Sequence, residues 1–319
     1  NQISLLRQAN IHFEQAIGQS PELVDAYQYH SDLYSHILLT RAAGELDGEI
    51  TEDDIAQAPA ALLQDYQRAA RHARSAGQRG NAEFDQSLMF GHWRGLDRLG
   101  RQNVALPGCD PALWLQLVAP LSNDPQAILG AFRRMAVCDP LRMRPMVHSV
   151  GILMWLERFD AAVELARQSR SKAEHPSLSR HLALGLALRG DTDEAVAMAN
   201  SVIREEDELL RVRAMLSAVR GDAAAAKRYQ VDFLGKYGPN DRDTLIMEAA
   251  QGNRGEANRL AAAIDARPFG HVVLLQAIYD CLCGAPFDLG AAPEFAGLLV
   301  ESGLDWPPPR RGAFPLKDW

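Results

Sequence analysis

Phe90-Gly91-His92-Trp93-Arg94 gathers two aromatic rings, an imidazole and a guanidinium within five residues. Such a group grips an anionic or sugar-like ligand by stacking and paired hydrogen bonds. In the plainer reading Trp93 is core and Arg94 snorkels past it. His30 and His36 are six residues apart, as are His175 and His181. A helix does not bring positions i and i+6 onto one face, and a structural zinc site wants four close nitrogen or sulfur ligands, so no metal is expected. Arg133, Arg134, Arg142 and Arg144 surround the Phe132–Pro140 joint. They read as solvated faces and as carbonyl partners at a helix C-terminus. Arg204-Glu205-Glu206-Asp207-Glu208 reads as a helix start, where negative charge suits the dipole.

The recognisable catalytic motifs are missing. There is no Gly-x-x-x-x-Gly-Lys-Ser/Thr, no Gly-x-Gly-x-x-Gly, no Gly-x-Ser-x-Gly and no His-Glu-x-x-His. Were an enzyme hidden here, His30, His36 and His92 would be its candidates; a non-enzymatic role without a cofactor is the expectation. The 33 Lys+Arg against 41 Asp+Glu give −8, which argues against a phosphate-backbone binder and against a polybasic membrane-surface protein. Apolar residues at 47% and charged residues at 23% exclude disorder throughout. No apolar run approaches the roughly 18 residues of a spanning helix. Helical patterning begins almost at Asn1, so any targeting or anchoring segment is expected upstream.

Cys109, Cys138, Cys281 and Cys283 are expected to be buried free thiols. On a helix, Cys281 and Cys283 would point about 200° apart, poor for one disulfide.

The elements that must carry these residues repeat. Ala9, Phe13, Ala16 and Pro21 place small residues, an aromatic and a helix-ending proline in order, and Tyr27 and Tyr34 follow two turns apart. Phe132 and Pro140 keep the spacing of Phe13 and Pro21, with Ile128 and Met135 at the alanine positions. Four joints then look alike: Glu157 to Ala162, Gly190 to Ala195, Gly221 to Ala226 and Gly252 to Ala257. Glycine ends one helix in a left-handed turn, a polar residue caps the next, and alanine lets the neighbouring helix approach. The closing alanines are 33, 31 and 31 residues apart. That periodicity predicts stacked α-hairpins. An acidic stretch at 44–61, with Thr51 to Asp54 as a capping box for a short helix, interrupts the pattern. Further helices are expected from Leu62 and over Ala82–Leu99, and near Pro293–Ser302. The Pro-rich ending, with Trp306, Phe314 and Trp319, is too apolar for a free tail and is expected to cap the stack.

These small–aromatic–small–proline sets resemble tetratricopeptide repeats, with Ser31 where that family has glycine. The ending (Phe287-Asp-Leu, Gly303-Leu-Asp-Trp-Pro-Pro, Asp318-Trp319) is similar to that of bacterial proteins in which such repeats follow a winged-helix DNA-binding domain and one membrane span. The resemblance implies an all-α fold, a right-handed α-α superhelix of about seven hairpins. It divides into hairpins at 1–105 with the insertion at 44–61, hairpins at 106–285, and a capping tail at 286–319. It also implies a concave groove lined by the first helix of each pair. On the family's groove positions fall Asp25, Gln28, Asp32 and Ser35, then Asp85, Met89 and His92, then Arg144; Trp93 and Arg94 join them through the 90–94 cluster. The implied function is a sensor or protein-interaction domain of a membrane-bound transcription regulator. A protein or peptide, or a small molecule, would bind in the groove on the periplasmic side of the inner membrane. No nucleic acid is expected on this segment, and a second copy could pair with it. The alternative is a cytoplasmic repeat scaffold or chaperone-like adaptor.

Overall fold

The four joints set the local geometry of the second half of the chain. Gly190, Gly221 and Gly252 adopt left-handed φ values of 107°, 75° and 90°, and Glu157 takes the same region at 56° without being glycine. The alanines that close the joints, Ala162, Ala195, Ala226 and Ala257, are fully buried because the neighbouring helix lies against them. Asp222 caps its helix by accepting the Ala225 N–H at 2.9 Å.

The computed structural model describes residues 2–45, 47–106, 109, 111–140, 142–170 and 175–308. The first helices are α1 (Gln2–Gln19), α2 (Val24–Ala42), α3 (Glu52–His72), α4 (Ala76–Met89) and α5 (Leu96–Ala105). A single turn, α6 (Leu115–Val118), precedes α7 (Pro125–Cys138), α8 (Met143–Trp155) and α9 (Phe159–Arg170). Then come α10 (Pro176–Arg189), α11 (Thr192–Val202), α12 (Glu206–Val219) and α13 (Ala223–Tyr237). The last are α14 (Asp241–Gln251), α15 (Arg254–Asp265), α16 (Gly270–Cys281) and α17 (Pro293–Ser302). The described residues contain helices and connections and no strand.

α8, α10, α12 and α14 lie side by side, and each pairs with the helix that follows it in the chain. α10 is buried without a break from Leu178 to Leu188, and α14 from Asp243 to Ala250. A helix buried on every side must be covered on every side by other elements. The cover is α16. It packs on α14 and α15, and also on α2 and α6. Its Tyr279 reaches back to His148 of α8 and His181 of α10, with ring centroids 6.3 Å apart in both pairs. A helix that only extended the stack would touch α14 and α15, not α8 and α10. So α16 crosses the inner faces of the earlier helices. The side expected to be an open groove is occupied by the chain itself.

The two ends of the chain meet across this helix. The Asp241 N–H donates to the Ala43 carbonyl at 2.8 Å, the Gly95 N–H to Glu301 at 2.7 Å, and the Asp305 N–H to Leu121 at 2.7 Å. One cluster of buried apolar side chains runs from Ile3 to Leu304, across the expected divisions at 105 and 285.

Several expected elements take another form. The Thr51 capping box is present, with the Asp54 N–H donating to Thr51 Oγ1 at 3.2 Å and the Thr51 N–H to the Asp54 carboxylate at 2.8 Å. Yet α3 is one helix of 21 residues running through Pro59, not a short helix followed by another. Burial of Ala58, Leu62, Tyr66 and Ala69 along one stripe outweighs the backbone hydrogen bond that proline cannot donate. The helix expected over Ala82–Leu99 is two, because Gly91 and Gly95 turn left-handed between α4 and α5. The cysteines are not free: Cys109 bridges Cys138, and Cys281 bridges Cys283. The helical spacing did not apply to the second pair, since Leu282 adopts φ 54° and ends α16 at Cys281. α17 occupies the expected 293–302, and Trp306 packs on Phe287 and Phe295. Phe314 and Trp319 lie outside the described residues.

Candidate functional site

The expected site residues separate into three groups. Ser35 and Met89 are fully buried, and Ser35 Oγ donates to the Asp32 carbonyl one turn back at 2.9 Å. Trp93 is core as well, its indole N–H donating to the Leu88 carbonyl at 3.1 Å. His92 and Arg94 point outward from the α4–α5 connection, where Arg94 pairs with Glu301 at 3.2 Å. The 90–94 cluster therefore does not present one face: Trp93 is interior, Phe90 is half-buried against Phe269, and His92 and Arg94 are on the surface.

The remaining residues converge. Asp25 and Gln28 of α2 line a recess of 30 Å³ with Arg142 and Arg144 at the start of α8, Phe132 of α7, and the 111–113 segment. Arg144 donates to the Leu113 carbonyl through Nη2 and to His148 Nε2 through Nε at 3.3 Å. Asp85 lies beneath the same segment, accepting the Leu113 N–H at 2.8 Å and the Trp114 N–H at 3.0 Å. Arg142 stacks over the Tyr29 ring with its guanidinium carbon 5.7 Å from the centroid. Asp32 sits one turn beyond Gln28, with an oxygen 3.4 Å from His36 Nδ1.

Electrostatics tie this junction together. Burial pushes Asp85 up to about 7, against the pull of the Trp114 and Leu113 amides and of Arg144. Burial also disfavours charge on Asp32, but the His36 hydrogen bond and charge, with Arg144 beyond, hold that carboxyl below its ordinary value. Burial lowers Arg144 despite the attraction of Asp32 and Asp85. One guanidinium is thus shared between two carboxyls on α2 and α4.

A second polar cluster was not foreseen. On the inner side, Arg180 of α10 pairs with Glu208 of α12 at 3.3 Å and with Asp280 of α16 at 2.8 Å. Arg211 of α12 pairs with Glu208 and with Asp243 of α14 at 2.7 Å. Arg242 adds a contact of 3.0 Å to Asp243 and donates to Gln276 of α16 at 3.4 Å. Arg180, Glu208 and Asp243 are each under 10% exposed. The available signal was an arginine in the first half of each of α8, α10, α12 and α14: Arg144, Arg180, Arg211 and Arg242. These guanidiniums and carboxylates pair with each other and hold α16 against the stack. Among the described residues no three His, Cys, Asp or Glu side chains come together as a metal site.

The fold and this junction define an all-α chain of packed helical hairpins with a polar recess where its two halves meet. Comparison with protein-family models and with curated proteins finds no match. No helix among the described residues is long and apolar enough to cross a membrane.

Proposed function

We propose that this chain is a non-enzymatic, tetratricopeptide-like recognition or sensor domain. It serves a bacterial transcription regulator whose DNA-binding and membrane segments precede it. The observation that carries the reading is the fourfold recurrence of one joint, a left-handed residue followed by a buried alanine, at the 31- to 33-residue spacing of a helical repeat. Its refinement is the place of recognition. With α16 on the inner side, the expected groove residues Asp25, Gln28 and Arg144 meet at the α2–α7–α8 recess, whose 30 Å³ takes a single polar group of a peptide or small ligand. The two disulfides favour the periplasm over the cytoplasm, where thiols are kept reduced.

Gln28→Arg in the host is the test. It fills the recess without touching the core, and is expected to alter transcription of the regulated genes at unchanged protein level. Unaltered transcripts at unchanged level would remove the sensor reading. Four alkylatable thiols in freshly lysed cells would move the chain to the cytoplasm, as a repeat scaffold.

A further inference from the structure

A second cavity opens on the outer side of the stack, away from the α2–α8 recess. α11 and α13 both pack on α12 and scarcely on each other, which bares the outer side of α12 between them. The space measures about 480 Å³, within the usual range of small-molecule sites. Arg213 of α12, Arg220 just past its end, Arg228 of α13 and Asn200 of α11 line it, with Tyr229 alongside.

The charges there are poorly matched. Arg213 donates from Nε to Asn200 Oδ1 at 2.9 Å, and among the described residues neither it nor Arg228 has a carboxylate partner. Both guanidinium carbons lie 5.7 Å from the centroid of the same Tyr229 ring, so two cations share one neutral partner. Among the described residues Arg220 has only Asp193, at 3.3 Å and 92% exposed, where water screens the pair. The one lining carboxylate, Asp222, already serves as the helix cap. A protein of net charge −8 has thus gathered three guanidiniums around one cavity. Guanidinium forks match oxyanions, and the Tyr229 ring holds two of them in place beforehand.

We propose that the α11–α12–α13 cavity binds a small oxyanion of two or more negative charges, a phosphorylated or polycarboxylated molecule, through Arg213 and Arg228 with Arg220 at the rim. This site is independent of the α2–α8 recess, so either assignment can fail without the other.

Titration calorimetry at low salt with inorganic pyrophosphate and with citrate tests it, and the two probes separate the phosphoryl from the carboxylate source. Saturable 1:1 binding of at least one is expected, weakened about tenfold or more in the Arg213→Gln/Arg228→Gln double variant. A double variant of equal charge loss at exposed sites, Arg71→Gln/Arg133→Gln, should bind as the parent does. Far-ultraviolet circular dichroism before titration confirms that both variants are folded. Three results would overturn the proposal: no saturable binding of either anion, equal losses in the two double variants, or association only with phosphatidylglycerol vesicles.

Discussion

A tight single-residue constraint lies where Tyr279 meets Gly151. A Cβ at 151 would stand 2.3 Å from the Tyr279 hydroxyl and 3.3 Å from His181 Cε1. Gly151→Ala is therefore expected to cost about 1–3 kcal/mol by overpacking, read from urea denaturation. The Tyr279 hydroxyl makes no hydrogen bond among the described residues, so Tyr279→Phe should change stability by no more than about 0.5 kcal/mol. His181 beside it is 1% exposed, and burial, reinforced by Arg180, pushes its pKa down to about 3. The unfolded chain takes up that proton near 6.5 while the folded chain refuses it. Stability should then fall as the pH drops from about 6.5 towards 3, by roughly 1.4 kcal/mol per unit from this group. His36 has the opposite sign, because Asp32 outweighs burial and raises it. Its contribution is complete below 6.5 and is lost as the pH rises through the folded value. Denaturation at stepped pH should show His181→Gln flattening the acid limb alone; an unchanged limb would mean that His181 is charged when folded.

At the scale of elements, α16 is the piece on which the packing turns, and its attachment can be cut at either end. Asp280→Ala leaves Arg180 with Glu208 only, at 8% exposure, and is expected to cost about 2–4 kcal/mol. A double-mutant cycle with Arg180→Met should return a coupling of about 1–3 kcal/mol. At the other end, a Cβ at Gly270 would lie 1.9 Å from the Ile264 carbonyl oxygen, so Gly270→Ala must displace backbone. The start of α16 was not legible in the sequence, because nothing local records a close approach to a carbonyl five residues or more away. The helices themselves were legible. Left-handed glycines and buried alanines are local signals, and the joints at Gly190, Gly221 and Gly252 fall where those residues stand. The break between α4 and α5 was missed although Gly91 and Gly95 mark it, since the apolar spacing across Phe90 and Trp93 reads as one helix. Of the residues expected by repeat position, Asp25, Gln28 and Arg144 line one recess. Ser35 and Met89 were placed there by the same rule, yet each is covered by neighbours that the repeat pattern does not encode. The Arg180–Asp280 pair joins residues 100 apart, and only the path of α16 brings them together.

For the whole molecule, the covalent links follow the same division between local and distant. Cys281 and Cys283 close a loop of almost no length, whereas Cys109 and Cys138 join the connection after α5 to the C-terminal end of α7, 29 residues on. Loop-closure entropy grows with the logarithm of the loop, so nearly all the stabilisation from cross-linking belongs to the longer link, on the order of 3–4 kcal/mol. That link ties α7, whose Phe132 lines the recess, to the N-terminal half of the chain. Reduction should therefore lower the denaturation midpoint of the parent and of Cys283→Ser by similar amounts, and leave Cys138→Ser almost unaffected. The fall should be accompanied by loss of order at α7, read as faster amide exchange over 125–138 than over α14. If Cys283→Ser instead removed the sensitivity to reductant, the short link would be the stabilising one. The core from Ile3 to Leu304 would then hold α7 in place without covalent help.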